Sequence, residues 1–584
     1  MILVFGGTTE GRMAAQVLDE AGTPYFYSTH GHGQTLDLVH GTRLAGAMQV
    51  DDMASVCRDH DIRLIVDAAH PFAHRLHRNV VQLALEMGLP VIRYDRIYPP
   101  RDTRLVWCRD YADAICQLNA RGINRLLALT GVNTIQQLKT YWMSRECWFR
   151  ILKRTDSVDK ARETGFPADH LVYYQNDNTQ QLLEQLRPEA ILTKESGRSG
   201  GFDQKVAAAQ RAGVPVFVVE RPAYPQVQGV AVRHVDGPHG LRRAIEQLLP
   251  EFYPLHSGLT TGTCATAAAI AATHRLVTGE APDRVPVILP DGETIHVAVT
   301  YGEDYASVIK DAGDDPDVTD GLEIRAHVEW SDDFEICGGE GVGRFTLPGF
   351  DYPPGEAAIN RTPRQMLRDN VHEAVRITIS VPQGREIARR TFNPRLGIEG
   401  GISIIGESGI VKPYSEEAFV QSIGKCMQVA VASGTTRVVI NSGAKSESYL
   451  RAYYPDLPPQ AFVQYGNYVG QTLRFATQLG ITRVTLGVML GKAVKLAAGN
   501  LDTHSRVATM DKDFMAQMLA QVGCDIDLSD ITLARELWDK IPADRLQTFA
   551  QVVIGHCMEH CAQLLPHGTL TILLIDNNGT IYRL

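Results

Sequence analysis

Seven short apolar runs, separated by stretches of helical pattern, constrain the fold of the first 250 residues more than any other feature. The runs span residues 2–5, 25–28, 64–67, 91–94, 126–130, 191–194 and 216–220. Continuous apolar strands that alternate with helices are typical of a parallel sheet covered on both faces. A Tyr-Pro-Pro-Arg segment interrupts the alternation near residue 98. The sequence therefore predicts an α/β fold with two Rossmann-like lobes, residues 1–97 and 98–250.

The rest of the chain, residues 254–584, follows a different pattern after a proline-bounded linker that ends at Pro254. Residues from about 254 to 390 are richer in Asp and Gly and alternate polar with apolar positions, which predicts an α+β part. The alternation of strands and helices returns over residues 391–584, which predicts an α/β part with a parallel sheet. Its apolar runs span residues 438–440, 462–465 and 484–488. An Asn-Gly pair close to the C-terminal end predicts a final hairpin.

Composition argues against several classes of partner. The chain of 584 residues has a net charge of −10, which disfavours nucleic acid and anionic membrane surfaces as partners. Its longest apolar runs have the length of strands and are too short to cross a bilayer. The ten cysteines show no repeated spacing, as expected of reduced thiols. We therefore expect a cytoplasmic protein that acts on small molecules, and the sequence leaves a homo-oligomer open.

A glycine-containing loop follows the first apolar run and opens a helix. Glycines at that point allow backbone N–H groups to approach a pyrophosphate. Thr8 replaces the second glycine of the G-x-G-x-x-G pattern, so nucleotide binding and a plain strand-to-helix turn stay equally open. The second run ends without the carboxylate that holds the ribose of NAD, which favours NADPH over NADH. The candidate nucleotide-binding residues are Gly6, Gly7, Thr8, Thr9, Glu10, Gly11, Ser28 and Thr29.

Two further candidates follow later strands of the same region. His70 and Lys194 stand where apolar runs end, at the functional edge of a parallel sheet, and suit proton delivery or substrate contact. For His70, a role in capping its own turn is an equal alternative. Ser196 and Gly197 are candidate substrate contacts. His70, His74 and His77 share a helical face, but without a nearby Cys or a patterned carboxylate we expect a structural or solvent-facing role and no metal.

These motifs resemble one family of reductases. Gly-Gly-Thr-x-Glu-Gly-Arg at the start, His-Pro-Phe-Ala, Thr-Lys-x-Ser-Gly and a late Arg-Pro occur in the order found in the precorrin-6A reductase (CobK/CbiJ) family, over residues 1–245. The resemblance implies the reduction of one double bond of a ring-contracted tetrapyrrole. It implies that the hydride comes from a nicotinamide and that the protein supplies or relays a proton.

Polar motifs also mark the C-terminal part. Thr260, Thr261, Gly262 and Thr263 precede an alanine-rich helix and suit either an anion site or an N-cap. A loop at 310–321 holds several carboxylates, among them Asp311, Asp314 and Asp315, and suits a ligand site or a solvated loop. Its spacing does not fit an EF-hand. His556, Cys557, His560 and Cys561 lie on a late helix, where the cysteines continue an apolar stripe and predict core packing.

The blocks that follow resemble a methyltransferase family. Thr-Thr-Gly-Thr-Cys, Lys-Asp-Ala-Gly-Asp-Asp-Pro-Asp, Asn-Pro-Arg-Leu-Gly and Gly-Lys-x-x-Lys-Leu-Ala with Thr-His-Ser occur in the order of the cobalt-precorrin-5B C1-methyltransferases, the CbiD family, over residues 254–584. The resemblance implies S-adenosylmethionine as methyl donor, with cobalt present only as part of the substrate. The candidate donor-binding residues are Ser442, Gly443, Gly466, Asn467 and Gly487. Arg395, Lys492 and His504 join the threonines and aspartates above as candidate substrate contacts.

Taken together, the two resemblances predict a bifunctional enzyme of cobalamin biosynthesis. One part would methylate cobalt-precorrin-5B to cobalt-precorrin-6A, and the other would reduce (cobalt-)precorrin-6A to (cobalt-)precorrin-6B. The alternative is one active half with the other serving as a tetrapyrrole-binding or carrier module. A short-chain dehydrogenase is disfavoured because no lysine has a tyrosine four residues before it. Transient contact with other enzymes of the corrin pathway is a further expectation.

Overall fold

A computed structural model of the chain describes residues 1–31, 36–176 and 178–584. The described residues form two compact units. Unit 1 comprises Met1–His256 together with Ile288–His296, and unit 2 comprises Ser257–Val287 together with Val297–Leu584. No helix in the described ranges is both long and apolar enough to span a bilayer.

Unit 1 contains twelve strands and nine α-helices in the first 256 positions that the structure describes. The strands are β1 (Ile2–Phe5), β2 (Tyr25–Thr29), β3 (Gly41–Ala45), β4 (Leu64–Asp67), β5 (Val91–Tyr94), β6 (Val106–Cys108), β7 (Arg125–Ala128), β8 (Glu146–Ile151), β9 (Leu171–Tyr173), β10 (Ala190–Lys194), β11 (Val216–Val219) and β12 (Val232–Val235). The helices are α1 (Thr9–Asp19), α2 (Val50–Asp59), α3 (His74–Met87), α4 (Tyr111–Ala120), α5 (Lys139–Trp142), α6 (Thr155–Glu163), α7 (Thr179–Leu186), α8 (Phe202–Arg211) and α9 (Pro238–Leu248).

These strands build two parallel six-stranded sheets, which confirms the predicted pair of Rossmann-like lobes. The first sheet has the order β12-β5-β4-β1-β2-β3, and the second has the order β6-β11-β10-β7-β8-β9. Separate clusters of buried apolar side chains cover the two faces of each sheet. The first order is that of dinucleotide-binding folds, in which the chain reverses direction between the first and fourth strands.

The expected boundary between the lobes is wrong in one respect. β12 and α9, which the sequence assigns to the second lobe at 98–250, belong to the first, because β12 pairs in parallel with β5, with Val232 opposite Val91. β12 is a short strand at the edge of the sheet, and it is only partly buried. Such a strand lacks the continuous apolar run that marks the central strands, so the pattern does not show where the chain returns.

Unit 1 also includes the distant segment Ile288–His296. Glu293 of this segment is fully buried, and its carboxylate accepts hydrogen bonds from the backbone N–H groups of His239 and Gly240, in the first turn of α9. The N–H of Thr294 donates to Asp236, 2.9 Å away. A carboxylate at a helix N-terminus satisfies N–H groups that have no partner within the helix. The segment therefore caps α9 from a remote part of the sequence.

The chain from residue 257 onward contains sixteen strands and ten α-helices. The strands are β13 (Gly258–Leu259), β14 (Arg284–Ile288), β15 (Thr294–Ala298), β16 (Thr300–Tyr301), β17 (Ala306–Ile309), β18 (Glu323–Trp330), β19 (Glu335–Gly338), β20 (Arg344–Phe345), β21 (Val375–Ser380), β22 (Ile398–Glu399), β23 (Ile410–Val411), β24 (Val438–Asn441), β25 (Phe462–Gln464), β26 (Arg483–Met489), β27 (Thr569–Ile575) and β28 (Ile581–Tyr582). The helices are α10 (Thr261–Thr278), α11 (Arg361–Asn370), α12 (Gly384–Ile387), α13 (Asn393–Leu396), α14 (Glu416–Ala432), α15 (Ala444–Tyr453), α16 (Val469–Gln478), α17 (Leu490–Ala497), α18 (Lys512–Gln521) and α19 (Leu546–Cys561).

Two five-stranded sheets organise unit 2, which agrees with the predicted α+β part followed by a part with a parallel sheet. The sheet β16-β17-β18-β21-β19 is antiparallel except where β19 pairs with β21, and α10 packs on it. The sheet β25-β24-β26-β27-β28 is parallel except for the final hairpin of β27 and β28. Cys557 and Cys561 of α19 lie in the apolar core beside the second sheet, in agreement with the expected packing role.

A buried network of charges lies at the carboxyl ends of β4 and β5. Asp67 is fully buried, and its Oδ1 accepts a hydrogen bond of 3.1 Å from Arg93, whose side chain is 2% exposed. Arg93 also donates to Asp95 over 3.0 Å. His77 approaches the other oxygen of Asp67 to 2.6 Å, and the hydroxyl of Tyr224 donates to that oxygen over 2.9 Å. The charges therefore compensate each other inside the lobe.

We expect Arg93→Met to destabilise the first lobe by about 3–5 kcal/mol, because it removes one partner of a buried ion pair. The measurement is amide hydrogen exchange of peptides that cover β4 and β5 in the full chain. Arg63→Met is the matched control, since Arg63 pairs with Glu251 where both side chains are more than half exposed, and such exposed pairs contribute little to stability. Equal protection of the two variants would contradict the importance of the network.

Candidate functional site

The glycine loop after β1 is shaped for a close approach from outside the protein. Gly7 has a φ of 92°, and a Cβ added there would meet no atom within 4 Å. Gly6 and Gly11 have a different role, because a Cβ on either would collide with Tyr27. Thr8 caps α1 by accepting the N–H of Gly11, and its hydroxyl donates to the Ala68 carbonyl over 2.7 Å. The loop is therefore held from behind and open at Gly7.

The other predicted nucleotide-binding residues differ in exposure and contacts. Ser28 and Thr29 are buried at the end of β2, and the Ser28 carbonyl accepts the N–H of Gly6 over 2.9 Å. Glu10 is buried at the start of α1, where it pairs with Arg96 at 3.1 Å and accepts a hydrogen bond from Ser199. Glu10 therefore links the two lobes of unit 1 instead of facing outward.

His70 lies in the loop after β4, at the point where the first sheet changes direction between β1 and β4. Ligands of such sheets bind in the crevice at this point. The Nδ1 of His70 accepts the N–H of Phe72 over 3.2 Å, so its ring does bond to its own turn. Burial and the positive charges of Arg96, Lys194 and Arg93 lower the pKa of His70 to about 3. The ring is therefore neutral near pH 7 and carries its proton on Nε2.

Lys194 lies at the corresponding position of the second sheet, at the end of β10. Its ammonium lies 5.1 Å from the centre of the Phe72 ring, so this loop meets the His70 loop. It donates no hydrogen bond and forms no ion pair within the part of the chain that the structure describes. Burial lowers the pKa of Lys194 to about 8. This group can release a proton in the physiological range.

The residues after Lys194 shape the same edge. Arg96 donates to the Ser196 carbonyl over 2.7 Å, and the Ser196 hydroxyl donates to the Gly200 carbonyl over 3.2 Å. Gly197 has a φ of 66°, and a Cβ there would lie 2.8 Å from Arg96. Sequence reasoning did not single out Arg96. The sequence contained one signal for it. Arg93 lies within the apolar run 91–94 and Arg96 shortly after it, and charged residues are unusual in and beside a buried strand.

In unit 2 the parallel sheet has its own reversal point, between β24 and β26. The chain passes from β24 to its neighbour β25 and then returns across β24 to form β26. Ser442 and Gly443 follow β24, and the N-terminal turn of α17 follows β26. Gly491 in that turn has open space where a Cβ would project, whereas a Cβ on Gly487 would collide with Leu450. Gly487 is therefore required for packing, and the open edge is formed by the loops.

Lys492 connects the neighbouring loops. Its ammonium donates to the carbonyl of Gly466 and, over 2.9 Å, to the side chain of Asn467. Burial and the nearby Lys495 lower the pKa of Lys492 to about 8. Lys495 donates to the carbonyl of Thr503 over 3.0 Å, which places His504 next to this cluster in the chain. The lysines of the Gly-Lys-x-x-Lys motif thus hold two loops at the carboxyl edge of the sheet.

Arg395 reaches the same sheet from α13. Its guanidinium donates to Glu447 over 2.7 Å, and Glu447 also accepts from Gln464 over 2.9 Å. Arg395 and Gln464 also line a small pocket whose aromatic walls are Phe392, Phe419 and Phe462. The sequence identified Arg395 but not Glu447, which is buried although charged.

The Thr-Thr-Gly-Thr motif is engaged within unit 2. Thr260 caps α10 by accepting the N–H of Thr263, and the Thr263 hydroxyl donates to the Gly409 carbonyl over 2.6 Å. Thr261 accepts the N–H of Ile405 over 2.8 Å. Gly262 packs where a Cβ would approach the Ile405 carbonyl to 3.1 Å. The motif therefore fastens α10 to the 405–409 segment.

The acidic loop, residues 310–321, uses carboxylates for hydrogen bonds and an ion pair within the protein. Asp311 accepts the N–H of Gly313, Asp315 accepts that of Tyr414, and Lys310 donates to Asp317 over 2.9 Å. Within the described ranges, the one group of carboxylates and histidines spaced for a metal ion is His239, Asp291 and Glu293 in unit 1. Asp311, Asp314 and Asp315 are not part of it.

Family comparisons agree with the two units. Residues 1–236 match the model of the precorrin-6x reductase family CbiJ/CobK. Residues 250–413 match the CbiD family, and residues 502–583 match the CbiD C-terminal domain.

Individual proteins match as well. A cobalt-precorrin-5B C(1)-methyltransferase of Prosthecochloris aestuarii is 43% identical over 345 residues, which are 55% of this chain and 94% of that protein. One from Geobacillus kaustophilus is 46% identical over 285 residues, 46% of this chain and 77% of that protein.

Two solved structures are similar to separate parts of the chain. A CobK precorrin-6A reductase shares 20% identity over 42% of this chain and 97% of its own, with a TM-score of 0.36. The cobalamin biosynthesis protein CbiD of Archaeoglobus fulgidus shares 28% identity over 46% of this chain and 85% of its own, with a TM-score of 0.26. The chain belongs to the CbiD family through its C-terminal part and to the CbiJ/CobK reductase family through its N-terminal part, and it is a fusion of the two.

Proposed function

We propose that unit 2 methylates C1 of cobalt-precorrin-5B with S-adenosylmethionine, and that unit 1 reduces the resulting cobalt-precorrin-6A to cobalt-precorrin-6B with hydride from NADPH. One observation carries the assignment to these sites. In each unit, a glycine with open space beside it stands at the reversal point of a parallel sheet: Gly7 in the loop after β1, and Gly491 in the first turn of α17. Dinucleotides and nucleosides bind in such crevices. Metal-free precorrin-6A is the alternative substrate of unit 1.

The residues of unit 1 fit a nicotinamide dinucleotide. Gly7 leaves room for a pyrophosphate, and the N-terminus of α1 directs its dipole at the same place. β2 ends in Ser28 and Thr29, without the carboxylate that selects NAD, which supports NADPH.

Lys194 and His70 divide the remaining work in unit 1. The ammonium of Lys194 delivers the proton to the carbon next to the one that receives hydride. His70 is neutral and donates a hydrogen bond from Nε2 to an oxygen of the substrate, which orients the macrocycle. Orientation and a positioned acid are the two contributions that a protein adds to hydride transfer.

In unit 2, the residues of the chain position the methyl donor and the substrate. The N-termini of α15 and α17 lie at the reversal point. The loops around it contain Ser442, Gly443, Gly466 and Asn467. Lys492 and Arg395 supply positive charge near a polycarboxylate substrate, although each is engaged with a protein acceptor. Methyl transfer needs an in-line approach of the two carbons and sulfur, so rigid loops serve it directly.

We expect Gly7→Val to weaken NADPH binding by more than tenfold, because a side chain there both strains the backbone and blocks the pyrophosphate. Fluorescence titration of the full chain measures the affinity. Gly88→Val is the matched control, since Gly88 also has a positive φ and an open Cβ direction but ends α3. Methylation should persist in both variants. Unchanged NADPH affinity in the folded Gly7 variant would move the nucleotide site elsewhere.

We expect the reductase rate to fall above pH 8 in the wild type, because Lys194 must be protonated to act as an acid and its pKa is about 8. Lys194→Met should reduce kcat by roughly 10²–10⁴-fold and abolish that alkaline limb. His70→Gln should keep the limb, since a neutral ring contributes no proton. Stopped-flow oxidation of NADPH from pH 6 to 9.5 distinguishes the variants. An alkaline limb that survives in the Lys194 variant would exclude it as the acid.

We expect Gly491→Leu to weaken S-adenosylmethionine binding by at least tenfold while the fold persists, because the new side chain would enter open space at the reversal point. Calorimetric titration with S-adenosylhomocysteine measures this affinity. Gly555→Leu provides the control, since Gly555 is also a helical glycine with open space around it, within α19. Equal affinities of the two variants would show that the donor binds away from α17.

A further inference from the structure

His77 has an arrangement that the proposed reaction does not yet use. It lies on α3 and is 3% exposed. Its Nδ1 is 2.6 Å from the Oδ2 of Asp67, and its Nε2 is 3.0 Å from the backbone carbonyl oxygen of His70. Both ring nitrogens therefore face oxygen atoms at hydrogen-bonding distance.

Neither oxygen can donate a proton to the ring. A backbone carbonyl carries no hydrogen, so the Nε2 of His77 must be the donor in that contact. Asp67 already accepts hydrogen bonds from the N–H of Ala69, from Arg93 and from Tyr224. Burial raises the pKa of Asp67, but the hydrogen bond from His77 and the charge of Arg93 outweigh it and lower the pKa to about 2. Asp67 is therefore an anion, and Nδ1 must donate as well.

We propose that His77 is an imidazolium that donates from both ring nitrogens, and that it acts as the positioning residue that holds the His70 loop for substrate binding. An imidazole that donates from both nitrogens carries a positive charge. The inference rests on the proposed reductase site for its functional half, whereas the charge of His77 is argued from its own hydrogen bonds and from the anionic state of Asp67.

The surrounding charges support this assignment. The charged and titratable groups around His77 are Asp67 on β4, Arg93 and Asp95 on β5, Tyr224 after β11, His70, and His74 and Arg78 on or beside the first turn of α3. Asp67 is fully buried and contacts both Arg93 and His77, whereas the carboxylate of Asp95 is 29% exposed and also pairs with His234 at 2.8 Å. A charged His77 therefore gives the buried carboxylate of Asp67 a second cationic partner beside Arg93.

The consequence for the site passes through His70. His77 holds the His70 carbonyl from one side, while Phe72 donates to the Nδ1 of His70 from the other. These two bonds fix both the loop and the tautomer, so the Nε2–H of His70 is available to an oxygen of the ligand. The positive charge of His77 also contributes to keeping His70 neutral. A carboxylate or carbonyl oxygen of the tetrapyrrole is the chemical class that such a donor binds.

The charge of His77 can be observed directly. We would label the full chain with ¹⁵N-histidine, assign the His77 resonances by their loss in His77→Gln, and record both ring nitrogens at pH 7. We expect two protonated nitrogens. A neutral tautomer would overturn the proposal whether or not the chain reduces a tetrapyrrole.

The positioning role has a separate kinetic test in the same chain. We expect His77→Gln, which can donate to only one acceptor at a time in this geometry, to raise the KM for the tetrapyrrole by about tenfold while the Kd for NADPH and the methyltransferase activity stay unchanged. Comparison with His77→Phe, which donates to neither, should show a larger rise. Parallel losses of NADPH affinity and substrate affinity in both variants would make His77 merely structural and would overturn the positioning role. Absence of any NADPH oxidation in the wild type would instead refute the proposed function.

Discussion

The first lobe depends on the compensation of one buried charge, the ionised carboxylate of Asp67 at the end of β4. A buried charge is tolerated only where partners compensate it, and Asp67 draws Arg93 from β5 and His77 from α3 to its two oxygens. Those contacts bring the loops after neighbouring strands into one arrangement. The candidate site at His70 is therefore a consequence of how one carboxylate is neutralised, and the chemistry at the surface depends on charges beneath it.

The fold was predictable to the extent that strands are buried on both faces. β1, β4 and β5 coincide with the predicted runs because central parallel strands are apolar throughout. β12 was misplaced because an edge strand keeps polar residues and because its partner, β5, lies far earlier in the chain, with Val91 opposite Val232. Pairing of that kind is decided by the three-dimensional packing of the sheet, which no local pattern contains.

Within the site, position was easier to predict than chemical state. His70 and Lys194 were placed at strand ends, where the structure has them, since polar residues after apolar runs follow a simple rule. The pKa values of these two residues were not predictable, because they depend on burial by segments distant in sequence and, for His70, on the charge of Arg96. The threonines in the first turn of α10 show the converse, since their hydroxyls suit a ligand but form hydrogen bonds with the 405–409 segment.

The capping of α9 by Glu293 affects whether the two parts of the fusion can be separated at the linker. The linker near Pro254 looks like a natural seam, yet the segment Ile288–His296 on its far side belongs to unit 1. A gene cut at the linker would encode a reductase whose last helix has lost the acceptor of two backbone N–H groups. Recombination that separates the two activities would thus need compensating changes at that helix, which makes the joined gene harder to divide than its motif boundaries indicate.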